Sequence, residues 1–414
     1  MSRRLPDAAW LTSGALAQVL AVLDRAGEEA RVVGGAVRNS LLGETPGDID
    51  IATTATPDEV LARARVAGFK AVPTGIDHGT VTMIVDGTPF EVTTLRADVE
   101  TYGRKAKVVF GRDWKADAQR RDFTMNALSV SPRGEIFDYV DGLADLDARR
   151  IRFIGDAERR IREDYLRILR FFRFHAWYGR GQPDAAGLDA VIRTRDGLST
   201  LSRERVHMET MKLLLAPGAV PALRLMADVG ILQLVLGSVP YVSVAANMAA
   251  REAAAGIAPD AARRLGAIAV AVEEDAERLW QRLRLTNAEH ETLRSMADGW
   301  RQVTPAIGEA KARELLYRLR AEAYVDRVLL AWARSPAGAD DPDWLALATL
   351  PQRWPVPAFP LKSKAFMARG LAKGPLLGAA LKAAEEAWIA AGFPTDKAAL
   401  DAIVAAAAGA AAQG

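Results

Sequence analysis

The chain has 414 residues, half of them hydrophobic and 26% charged, enough for a sizeable core divided among roughly two to four domains. It contains no cysteine, which excludes a disulfide scaffold, a Cys-ligated zinc site, an iron–sulfur cluster and a thiol nucleophile. His78, His175, His207 and His290 are too far apart for an HExxH-type metal site, and a net charge of only +2 means that any nucleic-acid surface must be local.

In chain order, Leu16–Leu23 is apolar but holds Gln18 and runs into Asp24-Arg25. It reads as an amphipathic first helix rather than a signal peptide, and no run approaches the ~20 apolar residues of a membrane span. A cytoplasmic protein without membrane association is expected. Arg31–Val33 is a short strand running into Gly34-Gly35, and Ala36–Leu42 is a helical pattern closed by Gly43. Ile49–Ala52 reads as a strand and Pro57–Ala67 as a helix with proline in its first turn. Thr80–Val85 and Phe90–Leu95 flank Asp86-Gly87, a hairpin signal. Tyr102–Arg112 is basic and weakly patterned and reads as a loop, and Lys115–Val130 reads as helix. From Asp156 onward strand signals vanish and the pattern is helical, ending in an alanine-rich stretch, 402–414, that is expected to fray. The chain is thus mixed α/β over about the first 145 residues and helical afterwards.

Several clusters carry chemistry. In Asp48-Ile49-Asp50, strand alternation sends both carboxylates to one face, where they can share a hard cation such as Mg²⁺. Some fifteen residues upstream, the Gly34-Gly35 turn lets backbone N–H groups approach an anion. Arg38 in the following helix is better explained by a phosphate than by helix stability. There is no GxxxxGK[ST] sequence, so this is not a P-loop. Glu91, in the second arm of the hairpin, is a third candidate carboxylate or an outward-facing polar residue. Arg120-Arg121-Asp122 precedes Phe123, Met125 and Ala127, which draw the segment into a core and leave the arginines at the edge of a cleft.

In Arg162–Phe174, Ile161, Tyr165, Ile168, Leu169 and Phe172 mark one helical face, and Asp164, Arg167 and Arg170 share the other. Ordinary ion pairs, Asp164–Arg167 and Glu163–Arg167, would also fit this spacing. Between residues 103 and 173, however, 17 Lys and Arg stand against 12 Asp and Glu. The rest of the chain is therefore net acidic, and the basic surface is concentrated here.

The ordered set GGAVRNSLLG (34–43), DID (48–50), RRDFTMNAL (120–128) and EDYLRILRFFRF (163–174) resembles the class II tRNA nucleotidyltransferases. These are the CCA-adding enzymes and related bacterial poly(A) polymerases of the polymerase-β superfamily. Leu201–Val206 is similar to the family's next helical motif, and Gly374–Phe393 to the tail of bacterial members. Asn39 departs from the family's more usual Asp but can still accept a hydrogen bond. The resemblance implies an α+β fold, with a mixed-sheet nucleotidyltransferase head (1–145) followed by an all-helical neck (146–215), body (216–335) and tail (336–414). It implies Mg²⁺ on Asp48 and Asp50, and nucleotide contacts from Gly35, Arg38 and Arg121. It further implies base reading by Asp164 and Arg167, with Arg170 and Arg173 near the nucleotide.

The implied reaction is attack of the tRNA 3′-hydroxyl on the α-phosphate of CTP or ATP, with pyrophosphate leaving. Asp164 can only accept and Arg167 can only donate, so the pair can satisfy a cytosine or an adenine edge and leaves polar groups unpaired against uracil or guanine. A poly(A) polymerase would share the head, as would an enzyme adding only CC or only A. Lys397 is the only basic residue after residue 390, which favours CCA addition. A non-catalytic RNA-binding protein is a remote alternative, because Asp48, Asp50, Arg121, Asp164 and Arg167 are all present.

Overall fold

The computed structural model describes residues 3–5, 8–76, 79–102 and 105–413. His78 lies outside them. The chain divides into two compact units, Met1–Ser238 and Val239–Gly414.

The described residues of the first unit form nine strands: β1 (Ala30–Val33), β2 (Asp50–Thr53), β3 (Lys70–Gly75), β4 (Thr80–Val85), β5 (Thr88–Thr94), β6 (Arg96–Tyr102), β7 (Lys105–Phe110), β8 (Ser129–Val130) and β9 (Ile136–Phe137). Seven form one sheet in the order β3-β4-β5-β2-β1-β8-β9. Only the central β2–β5 pair is parallel, so the sheet is mixed, as expected. The β4–β5 hairpin turns at Asp86-Gly87, both at positive φ. Helix Pro57–Val66 starts with Pro57 inside a capping box, in which the Thr56 hydroxyl accepts from the Glu59 N–H and the Glu59 carboxylate accepts from the Thr56 N–H. Helix Gly14–Leu23 buries Leu16, Val19, Leu20 and Leu23 in this unit, as its amphipathic pattern requires.

The structure corrects four expectations. The 102–112 segment is not simply a loop: Lys105–Phe110 pairs with Arg96–Tyr102 as a separate two-stranded sheet. The lysines in β7 hide its alternation, and its partner is the strand immediately before it. Residues 115–130 are not one helix either. Helix Trp114–Gln119 ends, Phe123 forms an isolated bridge to Phe153, Thr124–Asn126 is a 3₁₀ turn, and β8 follows. Phe123, Met125, Leu128 and Val130 are all buried, and tertiary packing overrides local helix propensity.

The third correction concerns the single helical face read across Ile161 and Arg162–Phe174. The segment is two helices, Ala157–Glu163 and Leu166–Tyr178, broken at Asp164, whose backbone is extended at φ −156°, ψ 105°. The fourth concerns the chain's end. Lys397–Gln413 is a helix that packs Val404, Ala407 and Ala408 against Leu377, Ala380 and Ala384 of helix Pro375–Ala390. Alanine is the strongest helix former, and its small side chain lets two helices approach closely.

After β9 the described residues contain no strand, as the loss of strand signals predicts. In the second unit, helix Ala321–Arg334 is central and buries Tyr324, Val328, Leu329 and Trp332, with Trp332 stacked on Trp344 at 6.2 Å between ring centres. Among the described residues no helix is long and apolar enough to cross a membrane.

Candidate active site

Two of the three catalytic candidates, Asp50 and Glu91, lie on the adjacent strands β2 and β5. Val33, the last residue of β1, lies opposite Asp50 at the start of β2, and Asp50 lies beside Glu91 of β5. Asp48 is not on the strand: it sits two residues before it, exposed, so strand alternation does not place it. The carboxylates still crowd one another. The Asp50 carboxyl is held above the ordinary carboxylate range, first by desolvation, then by Glu91 and also by Asp48, against the pull of Arg121. Such a donor set, all oxygen and mutually repelling, fits a hard divalent cation. Among the described residues no three His, Asp or Glu side chains enclose an ion by themselves. A cation here would complete its shell with phosphate oxygens and water.

The glycine turn lies at the end of β1. Gly34 adopts φ 72°, ψ −123°, a conformation open in practice only to glycine. A Cβ on Gly34 would lie 3.5 Å from Arg121 Nη1, and one on Gly35 would lie 3.6 Å from Arg38 Nη2. The turn is therefore flanked by two guanidiniums. Arg121 is tied to Asp117 at 3.2 Å. Arg38 is buried and donates to Asn126 Oδ1 (2.6 Å), Asn39 Oδ1 (2.8 Å) and the Tyr178 hydroxyl (2.7 Å), with its guanidinium 4.0 Å from the Tyr178 ring centre. These partners are all neutral, and burial lowers the Arg38 pKa. A phosphate would supply the missing counter-charge.

The base-reading candidates sit at the helix break. Asp164 accepts from Arg205 through both oxygens, Nη1 to Oδ1 at 3.1 Å and Nη2 to Oδ2 at 2.7 Å, and Oδ1 also accepts from the Leu166 N–H. Desolvation pushes its carboxyl up, but these bonds prevail and hold it below the ordinary range. Arg167 donates to Glu163 Oε2 (2.7 Å) and to the Arg160 carbonyl (2.6 Å). Of the two local ion pairs that the spacing allows, Glu163–Arg167 forms, while Asp164 pairs with Arg205 instead of Arg167.

Arg170 and Arg173 are engaged by protein. Arg170 Nε donates to Asp122 Oδ2 at 2.7 Å, and Arg173 Nε donates to Glu209 Oε2 at 2.5 Å. Glu209 is buried and also faces Arg170 at 3.6 Å. Reading the sequence missed Arg205 and Glu209, which lie on helix Arg203–Leu214. The Leu201–Val206 motif pointed to that helix but not to its side-chain partners.

Residues 30–152 match the poly A polymerase head domain, and 186–244 match the probable RNA and SrmB-binding site of polymerase A. The Mus musculus CCA tRNA nucleotidyltransferase 1, mitochondrial, is 31% identical over 422 aligned positions, covering 96% of this chain and 91% of the relative. The chain belongs to the class II CCA-adding enzyme and poly(A) polymerase family. The CCA-adding enzyme of Geobacillus thermodenitrificans is 42% identical over 51% of this chain and 52% of its own length. The crystal structure of the Bacillus stearothermophilus CCA-adding enzyme in complex with CTP superimposes with a TM-score of 0.72 at 26% identity, covering 95% of this chain and 97% of that one. The mixed-sheet head and helical remainder are those of this family, and membership implies use of a divalent metal.

Proposed function

We propose that this enzyme adds CMP and AMP from CTP and ATP to the 3′ end of tRNA, building or repairing the CCA terminus. The observation that carries the reading is a continuous run of contacts from phosphate cradle to base reader. Arg121 lies against the Gly34 turn, its carbonyl accepts from Arg160 Nη2, and the Arg160 carbonyl accepts from Arg167. Family membership across nearly the whole chain supports the same reading.

In this proposal Gly34, Gly35, Arg38 and Arg121 hold the triphosphate. Asp164 accepts from the exocyclic amino group of cytosine or adenine, and Arg167 donates to the ring nitrogen beside it. Arg205 is a positioning residue that fixes the Asp164 carboxylate, while Arg170 and Arg173 brace the neck through Asp122 and Glu209. Asp48 and Asp50 hold Mg²⁺, with Glu91 as the third carboxylate at the rim. Mg²⁺ bound there supplies charge neutralisation for the triphosphate and lowers the pKa of the attacking 3′-hydroxyl. We further propose the head, neck, body and tail divisions near residues 145, 215 and 335.

The test supplies purified protein, Mg²⁺ and one labelled nucleotide at a time to tRNA transcripts ending before CCA or after CC. CTP should label the first and ATP the second, with UTP and GTP inert. Long adenylate tails would mark a poly(A) polymerase, and no labelling would mark an RNA-binding protein.

A further inference from the structure

A cavity of about 440 Å³ opens in the Met1–Ser238 unit, and of its lining residues only Arg160 belongs to the run of contacts on which the proposed reaction rests. Val140 and Ile154 supply apolar wall, while Gln119, Arg152, Arg159 and Arg160 supply donors. The charges around it do not balance. Glu163 serves three guanidiniums at once, Arg160 at 2.5 Å, Arg167 at 2.7 Å and Arg159 at 3.7 Å. Asp145, fully buried, serves both Arg150 and Arg152. Five arginines thus share two carboxylates. Neither carboxylate lines the cavity itself; the acidic residue that does, Asp156, accepts from the Arg159 N–H at 2.7 Å and caps helix Ala157–Glu163.

Arg160 is the most constrained of the set. Its side chain is 11% exposed, and its Nε is buried without a hydrogen-bond partner. Burial, then the neighbouring Arg167, lower its pKa. A buried cation that shares its carboxylate with two others is costly unless an anion comes to it. We propose that this cavity is a second phosphate site, in which Arg152, Arg159 and Arg160 hold a phosphate group and Val140 and Ile154 face the sugar or base attached to it. Two sources share that chemistry: a backbone phosphate of the acceptor RNA, which rests on the function proposed above, and a free phosphate compound, which does not.

The test uses the full chain and the variant Arg159→Glu, since Arg159 is 83% exposed and its replacement leaves the core intact. Binding of a labelled tRNA transcript lacking CCA is followed by anisotropy, and binding of pyrophosphate by calorimetry with CTP saturating the triphosphate site. If the source is RNA, the variant binds the transcript about tenfold more weakly, with a salt dependence shallower by about one phosphate contact, and binds CTP as the wild type does. If the source is free phosphate, transcript affinity holds and the pyrophosphate heat is lost, in Arg159→Glu and in Arg160→Gln alike. Wild-type affinity for both probes in both variants overturns the site. A wild type that fails to bind tRNA counts against the proposed function, and the pyrophosphate measurement then decides the site alone.

Discussion

Asp164 and Arg38 show what the fold does to single residues. Asp164 keeps its charge because Arg205 and the Leu166 N–H hold it, and Arg205 uses a hydrogen bond on each carboxylate oxygen. The orientation of the carboxylate that Asp164 is proposed to present to a base is therefore set from helix Arg203–Leu214. Arg205→Gln should lower the preference for CTP over UTP, read as the ratio of kcat/KM values, by roughly ten- to a hundredfold, the worth of a charge-assisted hydrogen bond. An unchanged ratio would make Arg205 a structural residue only. Arg205 was hidden in the sequence because 41 residues separate it from Asp164 and only tertiary folding joins them. The glycine pair and the Asp-x-Asp stood out in the sequence as two adjacent glycines and two repelling carboxylates, whereas Arg38, expected near a helix start, falls in the last turn of helix Gly35–Leu41, where a cation suits the helix dipole.

At the scale of elements, Asp122 ties the 120–128 segment to helix Leu166–Tyr178 through Arg170. Burial raises its carboxyl, but Arg170, Asn126 and the Phe123 N–H outweigh that and depress it below the ordinary value. A depressed carboxyl contributes stability that is complete above its unfolded pKa of about 3.9 and is lost as pH falls through the folded value. Asp122→Asn should therefore cost about 3–5 kcal/mol at neutral pH and less at pH 3. Urea unfolding at both pH values measures this, and a pH-independent difference would contradict it. In the second unit, Glu252 is buried and holds Arg263 at 3.0 Å and Arg264 at 2.8 Å. Glu252→Ala should also cost about 3–5 kcal/mol in urea unfolding, and a loss under ~1 kcal/mol would show that water or another carboxylate replaces it.

Elements with strong local chemistry, the Asp86-Gly87 hairpin and the capped helix at Pro57, were readable in advance. The break at Asp164 was not, because Ile161, Tyr165, Ile168, Leu169 and Phe172 keep helical spacing across it. Nor was β7, whose lysines mask its alternation, nor the order of the C-terminal alanines, which depends on a partner helix.

Across the whole molecule, charge is unevenly spread. Residues 103–173 carry net +5 in a chain of net +2, leaving the remainder at −3. Long-range repulsion of RNA is thus avoided by concentrating the basic groups near the proposed nucleotide site. Binding of tRNA should weaken with salt by about 0.7–0.9 in log K per log unit for each phosphate neutralised. A slope near zero would place recognition in neutral contacts instead.

Whether this chain builds CCA is decided by sequencing the 3′ ends made from a tRNA transcript lacking CCA, with Mg²⁺ and all four nucleotides present. The wild type should yield ends that stop at CCA, without uridine or guanosine, and Asp50→Ala should leave the transcript unextended while retaining the wild-type circular-dichroism spectrum. Mixed or untemplated runs from the wild type, or normal extension by Asp50→Ala, would contradict the account.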